Sequence, residues 1–210
     1  MTFSRLIFLA AVITCTAAAQ TPEGTRLPVP GKPIPVDVFV ESPATAPGDL
    51  QIICLFASTP ENKLEASLAL LDTKLSGALT TVRTPQLFRG TLGETLLITP
   101  NPGAIAAKRL LLIGLGDRDT FTSAREEFIG EVAYAESERL GVAAPTFAPT
   151  ILDGGKTGID TGAVGAAFLS GFLRGRAITL ALHAPPVVQR LTFLAGTTHA
   201  IDTQRGMASK

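Results

Sequence analysis

The residue types that most often bind metal or carry catalysis are few in this chain and lie far apart. The two histidines, His183 and His199, show neither an H-E-x-x-H pattern nor another spacing typical of metal ligands. A two-metal hydrolytic centre needs several carboxylates that converge on ions about 3.5–4 Å apart. The Asp and Glu residues here fall mainly on predicted helix surfaces and in turns. The sequence therefore predicts no metal site and no catalytic residues.

Two glycine-containing segments partly match nucleotide-binding motifs. Gly154-Gly155-Lys156-Thr157 has the end of a phosphate-binding loop, but the first glycine of that motif would fall on Thr150. Gly114-Leu115-Gly116 lacks the third glycine of a dinucleotide-binding fingerprint. We interpret the first segment as a Gly-rich bend and the second as the end of a strand. We accordingly predict no cofactor-binding residues and no cofactor.

Cys54 is the remaining candidate nucleophile, and it lies in the apolar run from Gln51 to Phe56. A lone cysteine in such a run is usually a small buried hydrophobic residue, and it lacks the exposure that a reactive thiolate requires. No serine stands in a G-x-S-x-G elbow that could present it to a histidine. We therefore predict that Cys54 is a buried free thiol.

Composition and charge place the chain among globular proteins and argue against a polyanionic partner. The chain has 210 residues, of which 46% are hydrophobic and 17% charged, with 18 Lys and Arg residues against 18 Asp and Glu residues. This length suits one domain of roughly 100–200 residues. A net charge of zero gives no field that would attract nucleic acid or an anionic membrane. We expect no nucleic-acid partner.

The amino-terminal residues have the layout of a secretory signal peptide. Arg5 precedes the apolar run 6–13, and Ala17-Ala18-Ala19 follows as a small-residue cleavage site. A membrane anchor would need about 20 apolar residues. A lipoprotein signal ending at Cys15 is a weaker alternative, because the residue before it is a poor match to such sites. We predict cleavage after Ala19, a secreted or periplasmic protein, and no membrane contact after cleavage.

Two apolar runs bounded by Pro and Gly predict a pair of buried strands at the centre of a sheet, 95–99 and 109–115. The turn between them, at 100–103, forbids a continuous helix. A capping box of Ser123 and Glu126 predicts the start of a helix that ends at Leu140. In that helix we expect Phe128, Ile129, Val132 and Ala133 to face the sheet, and the charged residues, Glu126 among them, to form a solvated face.

The other periodic segments predict an alternation of strands and helices. Strands are predicted at 36–40, 50–56, 146–152 and 191–195, and residues 80–93 as a strand or loop that buries Phe88. Helices are predicted from Thr59-Pro60 to Ser76-Gly77, with a leucine stripe, and from Thr161 to Arg174 after Asp160 as cap. In the second helix the glycines allow close packing. This order predicts an α/β layered domain with a mostly parallel sheet. The leucine stripe comprises Leu64, Leu68, Leu71 and Leu75, and the glycines are Gly162, Gly165 and Gly171.

A resemblance to a known family rests on the string LLITP, a Pro/Gly turn, KRLLLIGLG and a following helix. These features resemble the amino-terminal domain of the M17 leucyl aminopeptidases. VDVFV, LDTKLSGAL, GETLLITP, KRLLLIGLG, the Ala- and Gly-rich helix 162–173 and RLTFLAG follow in the order of the family, from Val36 to about Thr197. The resemblance implies a macro-domain-like α/β sandwich. Residues 171–176 depart from the family, which usually has a stretch with Tyr and Asp there.

These predictions divide the chain into four parts. Residues 1–19 form the signal peptide, 20–35 a Pro- and Gly-rich linker or ordered arm, 36–197 the M17-like domain, and 198–210 a polar tail. By the resemblance, catalysis belongs to a separate domain, in which Lys, Asp and Glu residues hold two divalent metals near a motif close to NTDAEGR. We do not expect that domain in this chain.

Three functional hypotheses follow from the resemblance. The leading one is a secreted stand-alone domain, non-catalytic, that serves interaction or assembly, with an M17 catalytic domain or a second copy as its protein partner. The second is part of a leucyl aminopeptidase whose catalytic domain is missing or separate. The third is a binder of nucleotide or ADP-ribose in a macro-like cleft. Asp37 resembles the adenine-contacting Asp of macro domains, but Ser42-Pro43-Ala44 stands where their Asn-rich loop would be.

Overall fold

The computed structural model describes residues 20–59 and 63–209. The predicted signal peptide at 1–19, and Pro60 at the predicted helix start, lie outside these residues. None of the helices in the described part combines the length and apolar content needed to cross a bilayer. The strands are β1 Arg26–Pro28, β2 Val36–Val40, β3 Gln51–Phe56, β4 Thr95–Ile98, β5 Leu110–Gly116, β6 Thr146–Ala148 and β7 Leu191–Ala195. The helices are α1 Ala66–Lys74, α2 Ala78–Arg83, α3 Arg125–Arg139, α4 Thr161–Ala181 and α5 Ala200–Ala208.

The strands form one sheet in the order β1-β2-β7-β6-β3-β5-β4. Every pairing between β2 and β5 in this order is parallel, whereas β1 and β4 add to the two edges as antiparallel strands. The predicted α/β fold with a mostly parallel sheet is confirmed. The prediction that 95–99 lies at the centre is wrong, because the Pro/Gly turn reverses β4 onto the outer side of β5. The apolar runs of β4 and β5 do not show which of the two strands pairs with another strand on its other side and which lies at the edge of the sheet.

Helices cover both faces of the sheet and produce two hydrophobic cores. β3 and β5 are buried at every position, as predicted. Cys54 faces the first core, which α3, α4 and α5 close. Ile53 and Leu55 face the second core, which α1 and α2 close. The predicted leucine stripe is confirmed at Leu68 and Leu71, which are fully buried there. Leu64 precedes the helix, which begins at Ala66 and not at Thr59-Pro60 as predicted.

The segment 80–93, predicted as a strand or loop, instead contains most of α2. Its helix forms because Asp72 accepts hydrogen bonds from the backbone N–H groups of Leu79 and Thr80, at 2.8 and 3.2 Å. A carboxylate at this position satisfies donors that the first turn of a helix leaves unpaired. Phe88 is fully buried, as predicted.

The ends of α3 and α4 differ from the sequence expectations. Asp160 caps α4 by accepting a hydrogen bond from Ala163 N–H at 3.0 Å, as predicted, but the helix continues to Ala181, past Arg174. Ser123 gives α3 no side-chain cap. Phe128, expected in the core, is exposed, and Glu126, expected in solvent, is fully buried. The buried stripe of α3 therefore begins at Glu126 and continues at the helical spacing through Ile129, Gly130, Ala133, Tyr134 and Ser137.

Both terminal segments of the described chain are ordered parts of the domain. The Pro- and Gly-rich residues form an arm, since β1 pairs with β2 and Arg26 makes an ion pair with Asp37. The predicted polar tail is wrong, because α5 packs on α4 through Ala200, Thr203 and Met207. Apolar residues at only a few positions among charged ones were enough to make this helix amphipathic.

Candidate functional site

A cleft opens where the parallel strands β2, β7 and β6 end, and it has a volume of about 450 Å³. Ligands of α/β proteins commonly bind at the carboxyl ends of such strands. Val40, Ala195 and Ala148, the last residues of the three strands, lie in its wall. Val164 and Phe193 contribute apolar surface. The sheet topology thus places in one concavity residues that are far apart in sequence.

The loop after β6 forms one side of the cleft, and Thr150 holds it in place. Thr150 has a φ of +49°, which is uncommon for a residue other than glycine. Its hydroxyl accepts a hydrogen bond from the Cys54 N–H at 3.1 Å and donates one to the Cys54 carbonyl at 2.5 Å. Because β6 stops at Ala148, the Thr150 side chain takes the place of a strand neighbour for β3. Two backbone contacts therefore fix the loop.

Asp153 connects this loop to the beginning of α1. Its carbonyl accepts a hydrogen bond from the Glu65 N–H at 3.1 Å. Its carboxylate accepts a hydrogen bond from the Ser67 hydroxyl. The amino end of α1 is thereby already occupied by a negative group of the chain itself.

The polar lining of the cleft is acidic. Glu23, Glu41 and Asp153 contribute carboxylates, and the described lining contains no Lys or Arg. None of the three makes an ion pair with another described residue. The arrangement therefore gives the cleft a negative potential, which favours positively charged ligands.

A match to a family profile decides which family this chain represents. Residues 52–160, more than half of the 210, match the N-terminal domain of the cytosol aminopeptidase family. The chain belongs to that M17 family. The family expectation from LLITP and KRLLLIGLG is confirmed. No curated protein matches the chain.

Solved structures give the same fold for this M17 domain. A mutant of tomato leucine aminopeptidase matches with a TM-score of 0.63 and 19% identity, over 90% of this chain and 36% of that chain. The chain thus spans 36% of the length of the tomato enzyme. A mutant of the Oceanobacillus iheyensis macrodomain matches with a TM-score of 0.60 and 11% identity, over 88% and 97% of the two chains. The Trypanosoma brucei macrodomain in complex with ADP matches with a TM-score of 0.58 and 11% identity, over 81% and 68%. The macro-domain-like fold is confirmed.

Asp37, compared with the adenine-contacting Asp of macro domains, lies outside the cleft. It is the second residue of β2, whereas the cleft lies beyond the last residue of that strand. Its carboxylate binds Arg26 and Arg190 and accepts a hydrogen bond from the Thr192 hydroxyl at 3.2 Å. In this M17 domain Asp37 therefore attaches the arm and β7 to β2.

The two glycine motifs lie in a bend and at a strand end, the local structures predicted for them. Gly154 and Gly155 lie in turns, and the Lys156 ammonium donates to the carbonyl of Asp119 at 3.3 Å. Gly114 lies in β5 under the loop that follows Phe88, where a methyl group would be 1.9 Å from the Thr91 carbonyl oxygen. The first motif is a bend and the second allows a loop to cross the strand end.

The histidines are separated by the fold. His183 lies in the turn after α4 with a φ of +57°, whereas His199 borders the cleft just before α5. Within residues 20–59 and 63–209 no three His, Cys, Asp or Glu residues are grouped in a way that could hold a metal ion.

A buried acid, Glu126, acts on the thiol of Cys54, and the sequence analysis missed it. Burial raises the pKa of Glu126 to about 8, and neither carboxyl oxygen has a hydrogen-bond partner among the described residues. Cys54 is a buried free cysteine, as predicted, and burial followed by the Glu126 charge raises its thiol pKa. The signal that could have suggested this position is the three- and four-residue spacing of Glu126 from Ile129 and Gly130.

A second candidate site is the open β4 edge of the sheet. The Glu94 carbonyl accepts a hydrogen bond from the Gly114 N–H at 2.8 Å, so the alternation of an antiparallel pair turns the backbone groups of Thr95 and Leu97 outward. No described backbone group pairs with them on that side.

Apolar side chains accompany this open edge. Leu97 is 38% exposed, Leu92 45% and Phe128 44%. The Phe128 ring covers Gly93, where a methyl group would lie 2.7 Å from the ring. We call Leu92, Leu97 and Phe128, together with the outer backbone of β4, the edge surface.

Proposed function

We propose that this M17 N-terminal domain is exported and acts as an interaction module without peptidase activity of its own. The observation that carries the proposal is the edge surface, in which unpaired backbone groups of β4 stand beside exposed Leu92, Leu97 and Phe128. Proteins usually protect an open strand edge with charge, proline or a covering element. An edge with exposed apolar side chains can receive a strand from a partner, because main-chain hydrogen bonds then add to apolar burial.

The partner that we propose is an M17 catalytic domain. The family profile that matches is that of the N-terminal domain, and the tomato enzyme is much longer than this chain. An M17 catalytic domain would supply the part of such an enzyme that this domain does not match. The alternative, self-association through the same edge, is a distinct outcome of the experiment below.

Sedimentation analysis of the purified protein, alone and mixed with an M17 catalytic domain from the same genome, tests this proposal. We expect a heterocomplex that Leu97→Lys abolishes, because the substitution puts a charge into the edge surface. Leu182→Lys is the matched control, since Leu182 is an exposed leucine on the far end of α4. If the protein instead forms a homodimer that Leu97→Lys abolishes, the partner at the edge surface is a second copy of the chain and not the catalytic domain. A monomer that binds no catalytic domain would overturn the proposal.

Several carboxylates outside the cleft are committed to separate tasks, which supports the absence of peptidase activity. Glu126 is buried, Glu127 and Glu131 are paired with Arg174, and Asp37 is paired with two arginines. We expect no hydrolysis of a leucine anilide in Mn²⁺, Zn²⁺ or Co²⁺. Turnover that persists through repurification, with stoichiometric bound metal, would contradict the non-catalytic role and leave the binding result untouched.

A further inference from the structure

We propose that the cleft binds a small organic cation, a primary amine that carries an apolar body. The proposal is independent of the edge surface. It assigns to the cleft a ligand whose charge is opposite to that of the ADP in the Trypanosoma brucei macrodomain complex.

The size and composition of the cleft suit such a ligand. Its volume of about 450 Å³ lies in the range of roughly 300–1,000 Å³ that is usual for small-molecule sites. Ile159, Val164 and Phe193 give the cleft an apolar wall, and Glu41 and Asp153 also belong to the lining. An apolar body can therefore be buried while a charged group reaches the carboxylates.

The carboxylates are free to receive a cation. Glu41 accepts hydrogen bonds from the Ser42 N–H and the Thr45 hydroxyl through one oxygen, Oε1. Asp153 uses Oδ2 for the Ser67 hydroxyl. Each of the two groups thus keeps its second carboxylate oxygen, which an ammonium group with three donors can bind.

Thr203 supplies an independent sign of a ligand. Thr203 is 2% exposed and forms part of the cleft wall. The methyl group is turned towards Gly165 of α4, and the hydroxyl oxygen is not fully buried but keeps a small accessible surface. That hydroxyl has no hydrogen-bond partner among the described residues. A hydroxyl is both a donor and an acceptor, so this unpaired group can bind a polar group of a ligand in the cleft.

Two helices begin at the cleft, and neither offers a free anion site. The Ser67 hydroxyl in the first turn of α1 donates to Asp153, and the Ala163 N–H in the first turn of α4 donates to Asp160. Carboxylates of the chain therefore occupy the positions where a phosphate would bind. With no Lys or Arg in the described lining, a diphosphate would meet only like charges.

Three ligands with the same apolar body test the charge preference on the unmodified protein. Phenethylamine, 2-phenylethanol and 3-phenylpropanoate differ in charge and share the phenylethyl group, and binding is measured by NMR titration. We expect phenethylamine to bind at least tenfold more tightly than 3-phenylpropanoate, with the alcohol between them. The preference should fall as NaCl is raised from 50 to 500 mM, because salt screens the carboxylates. ADP-ribose is the fourth ligand, and we expect no binding.

Charge-removing variants locate the site. The double variant Glu41→Gln and Asp153→Asn should weaken phenethylamine binding at least fivefold and leave the alcohol unchanged. Asp49→Asn is the control, since Asp49 pairs with Lys108 just before β3, at the opposite end of the strands. Equal affinity for the amine and the acid, tighter binding of ADP-ribose, or no amine binding at millimolar concentration would each overturn the proposal. If the double variant does not fold, the comparison of the amine, the alcohol and the acid on the unmodified protein alone tests the proposal.

Discussion

Gly171 on α4 packs against the backbone carbonyl of Glu127 on α3 so closely that a methyl group at Gly171 would lie 1.7 Å from that oxygen. On the other side of the same crossing, a methyl group at Gly130 of α3 would lie 2.1 Å from the Phe168 carbonyl oxygen. The two glycines together set the separation of the helices that close the first core. Both obstacles are backbone atoms, which cannot move aside as a flexible side chain can.

We expect Gly171→Ala to lower the free energy of unfolding by about 3 kcal/mol, the upper end of the usual cost of overpacking. The gain in helix propensity from alanine, about 1 kcal/mol, only partly offsets the clash. Urea unfolding followed by circular dichroism measures the difference. Ala177→Gly, at an exposed position of α4, is the control and should cost about 1 kcal/mol. A Gly171→Ala variant as stable as the wild type would mean that α3 and α4 can separate freely.

The same crossing explains which parts of the fold could be predicted from the sequence. The strands β3 and β5 were predictable because a continuous apolar run between turn residues suits burial on both faces. The role of Gly171 was predictable from its place in an Ala- and Gly-rich helix. The rotation of α3 was not, because contact of Gly130 with α4 turns Glu126 inward and Phe128 outward. This constraint arises between helices and leaves no local pattern.

The cleft was hidden from the sequence for a similar reason. Glu23, Glu41, Asp153 and Thr203 come from four segments, which the antiparallel pairing of β1 with β2, the parallel order of β2, β7 and β6 and the packing of α5 bring to one cleft. Their spacing along the chain therefore forms no motif. The edge position of β4 was equally unreadable, since it depends on which strand ends the sheet.

Burial of Glu126 predicts that the protein loses stability as pH rises. The carboxyl has a pKa of about 8 in the folded state, against an ordinary value of 4.5. The folded state thus keeps a proton that the unfolded chain releases, and the free energy of unfolding falls by up to about 1.4 kcal/mol per pH unit in this window. The contribution of protonated Glu126 to the free energy of unfolding is complete below pH 4.5 and is lost as pH rises through 8.

Urea unfolding between pH 5 and 9 measures this slope, and Glu126→Gln should flatten it. At pH 5 the free energies of unfolding of the variant and the wild type should agree within about 1 kcal/mol. In the folded state at that pH the protonated Glu126 and its Gln replacement are both neutral and have similar shapes. Glu136→Gln, on the same helix and paired with Arg139, is the control and should keep the wild-type slope. Parallel curves for the wild type and Glu126→Gln would show that this carboxyl ionises normally.

The buried thiol of Cys54 should be unreactive in the folded protein. Burial and then the Glu126 charge raise its pKa, so little thiolate forms at neutral pH and the reagent has no access. We expect slow labelling by a disulfide reagent at pH 8 and complete labelling after unfolding in urea. Labelling of the native protein within seconds would contradict the buried position of β3.

The amino-terminal sequence predicts export with cleavage after Ala19. N-terminal sequencing or intact-mass measurement of the exported protein should find Gln20 first, or its cyclised form, because the apolar run and the Ala-x-Ala site are both present. Replacing Leu9 by Arg interrupts the apolar run and should keep the full-length chain inside the cell. A lipid-modified Cys15 would instead place the protein on a membrane surface.

Thr150 should contribute more to stability through its hydroxyl than its loop position suggests. The hydroxyl serves both backbone groups of Cys54, which are buried, and Thr150→Val removes it while keeping the shape of the side chain and the backbone strain at a φ of +49°. We expect a loss of about 2–4 kcal/mol, because two buried backbone groups lose their partners. Thr146→Val is the matched control, since Thr146 is also buried beside β3 and its hydroxyl makes no hydrogen bond within the described chain.

Hydrogen exchange at the Cys54 amide distinguishes this local effect from general destabilisation. The exchange should accelerate more than that of Leu112 in the neighbouring strand, because only the Cys54 N–H depends on Thr150. The same loop carries Asp153 to Ser67 in α1, so loosening it should also weaken amine binding in the cleft without changing the preference for the amine over the acid. A Thr150→Val protein with wild-type stability and unchanged Cys54 exchange would mean that the strand, and not the side chain, holds the loop.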